Sequence, residues 1–292
     1  MVDKFIHFAL VTHSNSKYFV NANHSNFNLL IKDYKANSFK IQSNDLFLDE
    51  DISRVQVYSQ LVDICVLLKS MIIVRVNIIR NSKSYNLHTN LRSISLIIYI
   101  FVTLLFKFFC ALFSVRFYQD FRNNLIRQSN ISASHLNSMK QSLESGESFV
   151  LILEDDFLFT DMEAIIKMLK FATSVEVSKS KLQLINLSKS FSYQELGFQN
   201  FVESSIKAVN YPNYMIDILK YPVTNTVCAT LYKSDFLKKL VCELETLKMV
   251  SLIPIDHKVN IALNKLIKKG LIDKKSYGSS NPSLFIQGSL HG

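Results

Sequence analysis

The segment Phe149-Val-Leu-Ile-Leu-Glu154-Asp155-Asp156 constrains the fold more than any other stretch of the chain. An apolar, mostly branched run ends there on three consecutive carboxylates. A run of that length suits a strand buried on both faces, inside a sheet that helices cover. Three acids at its mouth repel one another and lose hydration. A fold keeps that arrangement where a cation or a cationic ligand is expected. Alternation along a strand gives Glu154 and Asp156 one face and Asp155 the other. The pattern suits an oxygen-ligand site for Mn²⁺ or Mg²⁺ carrying a phosphorylated substrate. The plainer readings are a solvated loop and a helix cap. Thr160-Asp-Met-Glu163 already reads as the capping box of the next helix, and Phe157-Leu-Phe argues against a free loop.

The surrounding pattern predicts an α/β chain. Phe5 to Thr12 reads as a first strand and carries no signal-peptide core. Residues 55–79 are apolar but broken by Asp63, Lys69 and Arg75, and suit a helix followed by a strand over Met71–Ile79. Ser132 to Glu144 is a helix that Gly146 stops. Lys181–Leu187 and Val223–Tyr232 read as strands, with a loop-rich stretch over 189–220 between them. Ser234–Leu240 is a helix, and Ile253-Pro-Ile-Asp256-His257 opens another that ends near Gly270. Asn281–Ser289 is a last short strand or arm. Alternating strands and helices imply a largely parallel sheet flanked by helices, in one domain over residues 1–292.

Ile94 to Val115 is the other constraint. Its 22 residues carry one charge, Lys107, and are long enough to cross a bilayer. Three placements are open: lying in a membrane interface with Lys107 snorkelling, buried in the fold, or spanning. A span would put the first strand and the acidic strand on opposite sides of the membrane, which one sheet forbids. Flanking positives are balanced, so they set no orientation. Residues 80–128 read as an insertion that carries this helix.

Net charge is +9. Nucleic-acid spacings are absent, so the basic balance points to anionic lipid or anionic substrate. All seven Arg precede the acidic motif, so a cation facing a phosphate from the C-terminal half is Lys or His. The four Cys are widely spaced and read as free thiols of a reducing compartment. His135 lies on an apolar stripe with Ile131 and Met139, either as a core histidine or as a ligand. Asp256 is either a helix N-cap or a catalytic base, with His257 near the metal. Lys233 is a surface lysine or a diphosphate contact, and His291 a loose terminal residue or a ligand.

Five segments in order resemble glycosyltransferase family 25, the lipopolysaccharide and collagen-type galactosyltransferase group. They are Ile131-Ser-Ala-Ser-His135-Leu, Glu144 to Asp156, Val227-Cys-Ala-Thr-Leu-Tyr-Lys-Ser, Pro254-Ile-Asp256 and Pro282-Ser-Leu-Phe-Ile-Gln287-Gly-Ser289. The likeness covers roughly residues 130–290. It implies a GT-A-like, Rossmann-related fold. It also implies inverting, metal-assisted transfer of a hexose, often galactose, from a nucleotide diphosphate sugar to a glycan or lipid-linked glycan. The roles implied are Asp156, Glu154 and His257 at Mn²⁺ or Mg²⁺; Glu154, Asp155, Lys233 and His135 at the nucleotide sugar; and Asp256 as base. Localisation would be cytoplasmic and peripheral, at the inner face of a membrane.

The opening strand, Phe8 to Asn15, lacks the Arg-rich turn of the family, and Val227-Cys228 is bulkier than the family's small residues. These departures leave a second class open: a decayed transferase-like protein that binds or associates with membranes. A phosphoryl-transfer enzyme would want a Gly-rich loop, and no Gly precedes residue 146.

Overall fold

The computed structural model describes residues 6–12, 39–43, 52–81, 87–159, 161–189, 201–224 and 226–287. Thr160 and His291 lie outside them. Among the described residues the large sheet has eight strands, in the order β2-β1-β3-β9-β5-β10-β8-β7. β1 (Ile6–Thr12) and β3 (Phe149–Glu154) are second and third in that order, paired in parallel from Ile6 opposite Phe149 to Val11 opposite Glu154. β2 (Phe39–Ser43) extends β1 in parallel on the other side. β9 (Ala229–Lys233) runs antiparallel to both β3 and β5 (Leu184–Asn186). β10 (Tyr277–Asn281) is parallel to β5, and the antiparallel pair β8 (Met215–Leu219) and β7 (Val202–Lys207) finishes the edge. The sheet is therefore mixed, and parallel through its β2-β1-β3 part.

Both faces of β3 are covered, as its composition requires. Leu151 and Leu153 join one core with Phe8, Leu10, the Ile165, Met168 and Leu169 face of α5 (Met162–Ala172) and Val177 of α6 (Val175–Lys179). Val150 and Ile152 join the other, against Leu136 and Met139 of α4 (Val115–Leu143). Helices α7 (Ser234–Glu245) and α8 (Ile255–Lys268) complete that second layer through Phe236, Leu240, Val259 and Leu263. Each full burial of such a side chain contributes about 1.5–3 kcal/mol.

Among the described residues, four helices lie between β2 and β3: α1 (Arg54–Tyr58), α2 (Gln60–Asn81), α3 (Leu87–Phe113) and α4. Met71–Ile79 is helix and not the expected strand. It buries Arg75 and Ile78, three residues apart, and Asn77 reaches Asn264 of α8 and Tyr221. Contacts with α8 override the β preference of a branched run. The apolar helix breaks at Ser114, whose backbone is extended, and the chain folds back. Phe108 and Phe121 then meet edge to face at 5.8 Å, although thirteen residues of straight helix would hold them about 20 Å apart. Gly146 follows α4 at φ 73°, a left-handed conformation that favours glycine.

The expected capping box is shifted by one residue. Asp161 is the N-cap of α5, its Oδ1 accepting from the Ala164 N–H at 3.1 Å. Glu163 instead pairs with Lys167 at 2.6 Å. A second, three-stranded sheet joins β4 (Phe157–Phe159), β11 (Phe285–Gln287) and β6 (Ser188–Lys189). The β7–β8 hairpin lies within the stretch expected to be loop-rich.

Candidate functional site

The three acids stand at a corner between the two sheets. β3 ends at Glu154, whose N–H donates to the Cys228 carbonyl at 2.8 Å. The next N–H, from Asp155, donates to the Val11 carbonyl at 3.0 Å. Chain direction changes at Asp155-Asp156, and β4 begins in the small sheet. Phe157 and Phe285, both fully buried, lock the corner edge to face at 5.8 Å. The apolar Phe157-Leu-Phe is therefore a strand of its own.

This corner lies at the carboxyl ends of β1 and β3. The chain leaves β1 toward β2 on one side and re-enters beside β1 as β3 on the other. Ligands of open α/β sheets bind in the crevice formed where strand order reverses in this way.

Glu154, Asp156 and Cys228 each offer a ligand atom, and these atoms lie within 4.8 Å of one another. Glu154 is partly exposed, whereas Asp156 and Cys228 are buried. Cys228 Sγ donates to Asp156 Oδ1 at 3.9 Å. Burial pushes the Cys228 thiol well above its ordinary range, and the charges of Glu154, Asp156 and Asp155 push it further. The carboxylates fit a hard divalent ion; the Cys228 sulfur fits it less well, because Mn²⁺ and Mg²⁺ favour oxygen donors.

His135 is fully buried on α4, and its Nε2 lies 2.9 Å from Glu154 Oε1. A histidine donating to a carboxylate fixes that carboxylate's orientation. Its Nδ1 has no hydrogen-bond partner among the described residues. His135 is thus both core-facing and in contact with the acidic site.

The wall beside Cys228 is built by asparagine. Asn260 of α8 accepts from the Thr224 N–H at 2.9 Å and donates to the Thr224 carbonyl at 2.8 Å. Asn186, at the end of β5, donates to the Thr226 carbonyl at 3.3 Å and lies 3.1 Å from the Tyr277 hydroxyl. The Thr226 hydroxyl accepts from the Cys228 N–H at 3.1 Å. These bonds fix the loop that enters β9.

Asp256 and His257 sit in the first turn of α8, where Pro254 is the N-cap. Asp256 Oδ1 accepts from the His257 N–H at 2.9 Å. The capping alternative for Asp256 is thereby replaced by a related one: an acid satisfying a first-turn N–H. His257, expected at the metal, is not in the carboxylate cluster, and Cys228 stands there instead. Lys233 lies at the other end of the sheet. It pairs with Phe149, five residues along β3 from Glu154 and so about 16 Å away, and its Nζ donates to the Ser178 carbonyl at 3.2 Å.

Cys228, Asn186, Thr226 and Asn260 carry no motif in the sequence. Only Cys228 had a signal: its place at the start of a strand that the family likeness singles out.

Fold and site together define an α/β protein with a carboxylate cluster at the carboxyl end of parallel strands. No known protein family matches the chain, and no curated protein matches it.

Proposed function

We propose that the chain is a metal-assisted hexosyltransferase of GT-A-like architecture that draws on a nucleotide diphosphate sugar. The observation that carries this reading is the convergence of Glu154 and Asp156 at the carboxyl ends of the parallel strands β1 and β3. Those two carboxylates would hold Mn²⁺ or Mg²⁺, with His135 fixing the Glu154 carboxylate. An ion held there offsets the negative charge that grows on a diphosphate leaving group. Asp155 would reach the ribose hydroxyls of the donor. Asp256 would take the proton of the acceptor hydroxyl as that oxygen attacks the sugar's anomeric carbon and the nucleoside diphosphate leaves. Its support is a half-buried carboxylate on the helix whose Asn260 holds the loop to Cys228. Donor sugars of the hexose class, galactose among them, and a glycan or lipid-linked glycan acceptor follow from the family likeness.

The test is nucleotide-sugar hydrolysis and transfer by the purified protein with and without Mn²⁺. Glu154→Gln and Asp156→Asn should remove the metal-dependent turnover. Asp256→Asn should abolish transfer while donor binding persists, and unchanged turnover would remove Asp256 from the role. A second reading, a decayed transferase that only binds, is favoured by one observation: the soft Cys228 sulfur beside the carboxylates, 3.9 Å from Asp156 Oδ1. Calorimetry separates the two, because binding of neither nucleotide sugar nor Mn²⁺ sinks the enzyme reading.

A further inference from the structure

The inserted helices carry a surface that the proposed chemistry does not use. Of 23 exposed large hydrophobic residues among those described, 19 fall between Val55 and Phe117. They are most ordered on α3. Tyr99, Val102, Phe106, Phe109 and Phe113 recur at steps of three and four, and each is about half exposed or more. That spacing is one face of a helix. It makes a stripe about 21 Å long. The opposite face, with Phe108 and Ala111, is buried against Phe121 and Leu125 of α4. The fold-back at Ser114 adds Val115 and Phe117 at its tip, 76% and 44% exposed.

Charge decides what this surface meets. Residues 54–143 hold eleven Lys and Arg against two acids, Asp63 and Asp120. That is the whole formal +9 of the chain, so the remaining residues are neutral in sum. Two copies docked through this face would bring the Lys107 and Arg116 of one against those of the other. An anionic lipid surface has the opposite sign, and Lys107 and Arg116, both exposed, border the stripe and its tip.

Spanning is excluded by the connections. β1 and β3 are neighbours in one sheet, so a crossing by α3 requires α4 to cross back. The first half of α4 holds Arg116, Asp120, Arg122 and Arg127, which the bilayer core disfavours. α3 is long and apolar enough to span, with a mean hydropathy of 2.5 over Ile94–Phe113. Its covered face and its topology keep it in the interfacial plane.

We propose that the α3 stripe and the Ser114 tip form a docking surface for an anionic lipid bilayer, entered sideways and not crossed. The proposal does not rest on the transferase reading. Its assay contains no nucleotide sugar, so either can fail without the other.

The test is co-sedimentation of the full chain at low salt with phosphatidylcholine vesicles, with and without roughly a third of phosphatidylserine. The anionic vesicles should carry the protein down and the neutral ones hold it at least about tenfold less well. Lys107→Glu with Arg116→Glu should weaken anionic binding by more than about tenfold, since each basic side chain near the surface is worth about fivefold. Phe106→Ser, Phe109→Ser and Phe113→Ser together should abolish sedimentation. All three are exposed, so an unchanged circular dichroism spectrum and melting curve will show that the fold persists. An alkaline carbonate wash should release the bound protein. Protein left in the supernatant overturns the proposal, as does resistance to the wash, which would mean a span. A dimer in solution that the triple Phe variant dissolves would assign the face to a second copy and overturn it equally.

Discussion

At the residue scale, two buried groups control separate properties. His135 is fully buried with Nε2 against Glu154. If the acids hold Mn²⁺ as proposed, His135→Ala should lower its affinity by about 10- to 100-fold, as loss of an orienting partner does at metal sites. Calorimetric titration measures it, and an unchanged affinity would make His135 a core residue alone. Lys258 is the second group. Burial lowers its ammonium from the ordinary 10.5 to about 8, against a smaller opposing pull from Asp63. Its Nζ donates to the Met249 carbonyl at 3.2 Å. The unfolded chain keeps that proton to about 10.5 and the folded chain to about 8, so between these values the unfolded state binds more protons. Stability from this side chain therefore rises with pH across that window and is constant below it. Urea midpoints of the wild type should gain on those of Lys258→Met between pH 8 and 10.5. Parallel pH profiles would show that Lys258 is solvated after all.

At the scale of elements, the acidic strand was legible because its signal is local. Five apolar residues ending in acids read as a buried strand, and β3 is buried from Phe149 to Leu153. The start of α5 was legible to within one residue. Thr160 and Asp161 are both good caps, and the backbone places the Asp161 side chain over the Ala164 N–H. Asp161→Ala should cost about 1 kcal/mol in chemical unfolding. Two elements were illegible for opposite reasons. Met71–Ile79 has strand-like residues, yet Asn77 and Ile78 bind it as helix to the α8 side of the fold. β7, Val-Glu-Ser-Ser-Ile-Lys, is mostly exposed and polar, so it lacks the apolar alternation that reveals a strand.

Over the whole molecule, the site depends on how two sheets join. Asp156 is followed at once by Phe157, and Phe157 is held by Phe285, 128 residues later. Phe285→Ala should cost about 3–5 kcal/mol by cavity formation. It should also weaken Mn²⁺ binding, because the Asp156 corner loses its support. A destabilised variant with unaltered metal affinity would uncouple the small sheet from the site. The inserted helices connect the same site to the apolar hairpin. Val115 at the tip and His135 at the acids lie on one helix, 20 residues and about 30 Å apart.

Local sequence is enough to specify the buried strand, its three acids, the apolar helix and the concentration of positive charge. Each of these is written in consecutive or regularly spaced residues, where short-range physics suffices. Tertiary structure alone decided the rest. It brought Cys228 to Asp156 through antiparallel pairing, and His135 to Glu154 through helix packing. It left Lys233 at the far end of the sheet and His257 outside the carboxylate cluster. It also folded the apolar helix back at Ser114 so that one face is covered and one is bare. Pairing direction, register and the choice of covering face follow from contacts between residues far apart in the chain. No local pattern encodes these, because burial free energy depends on which surfaces meet.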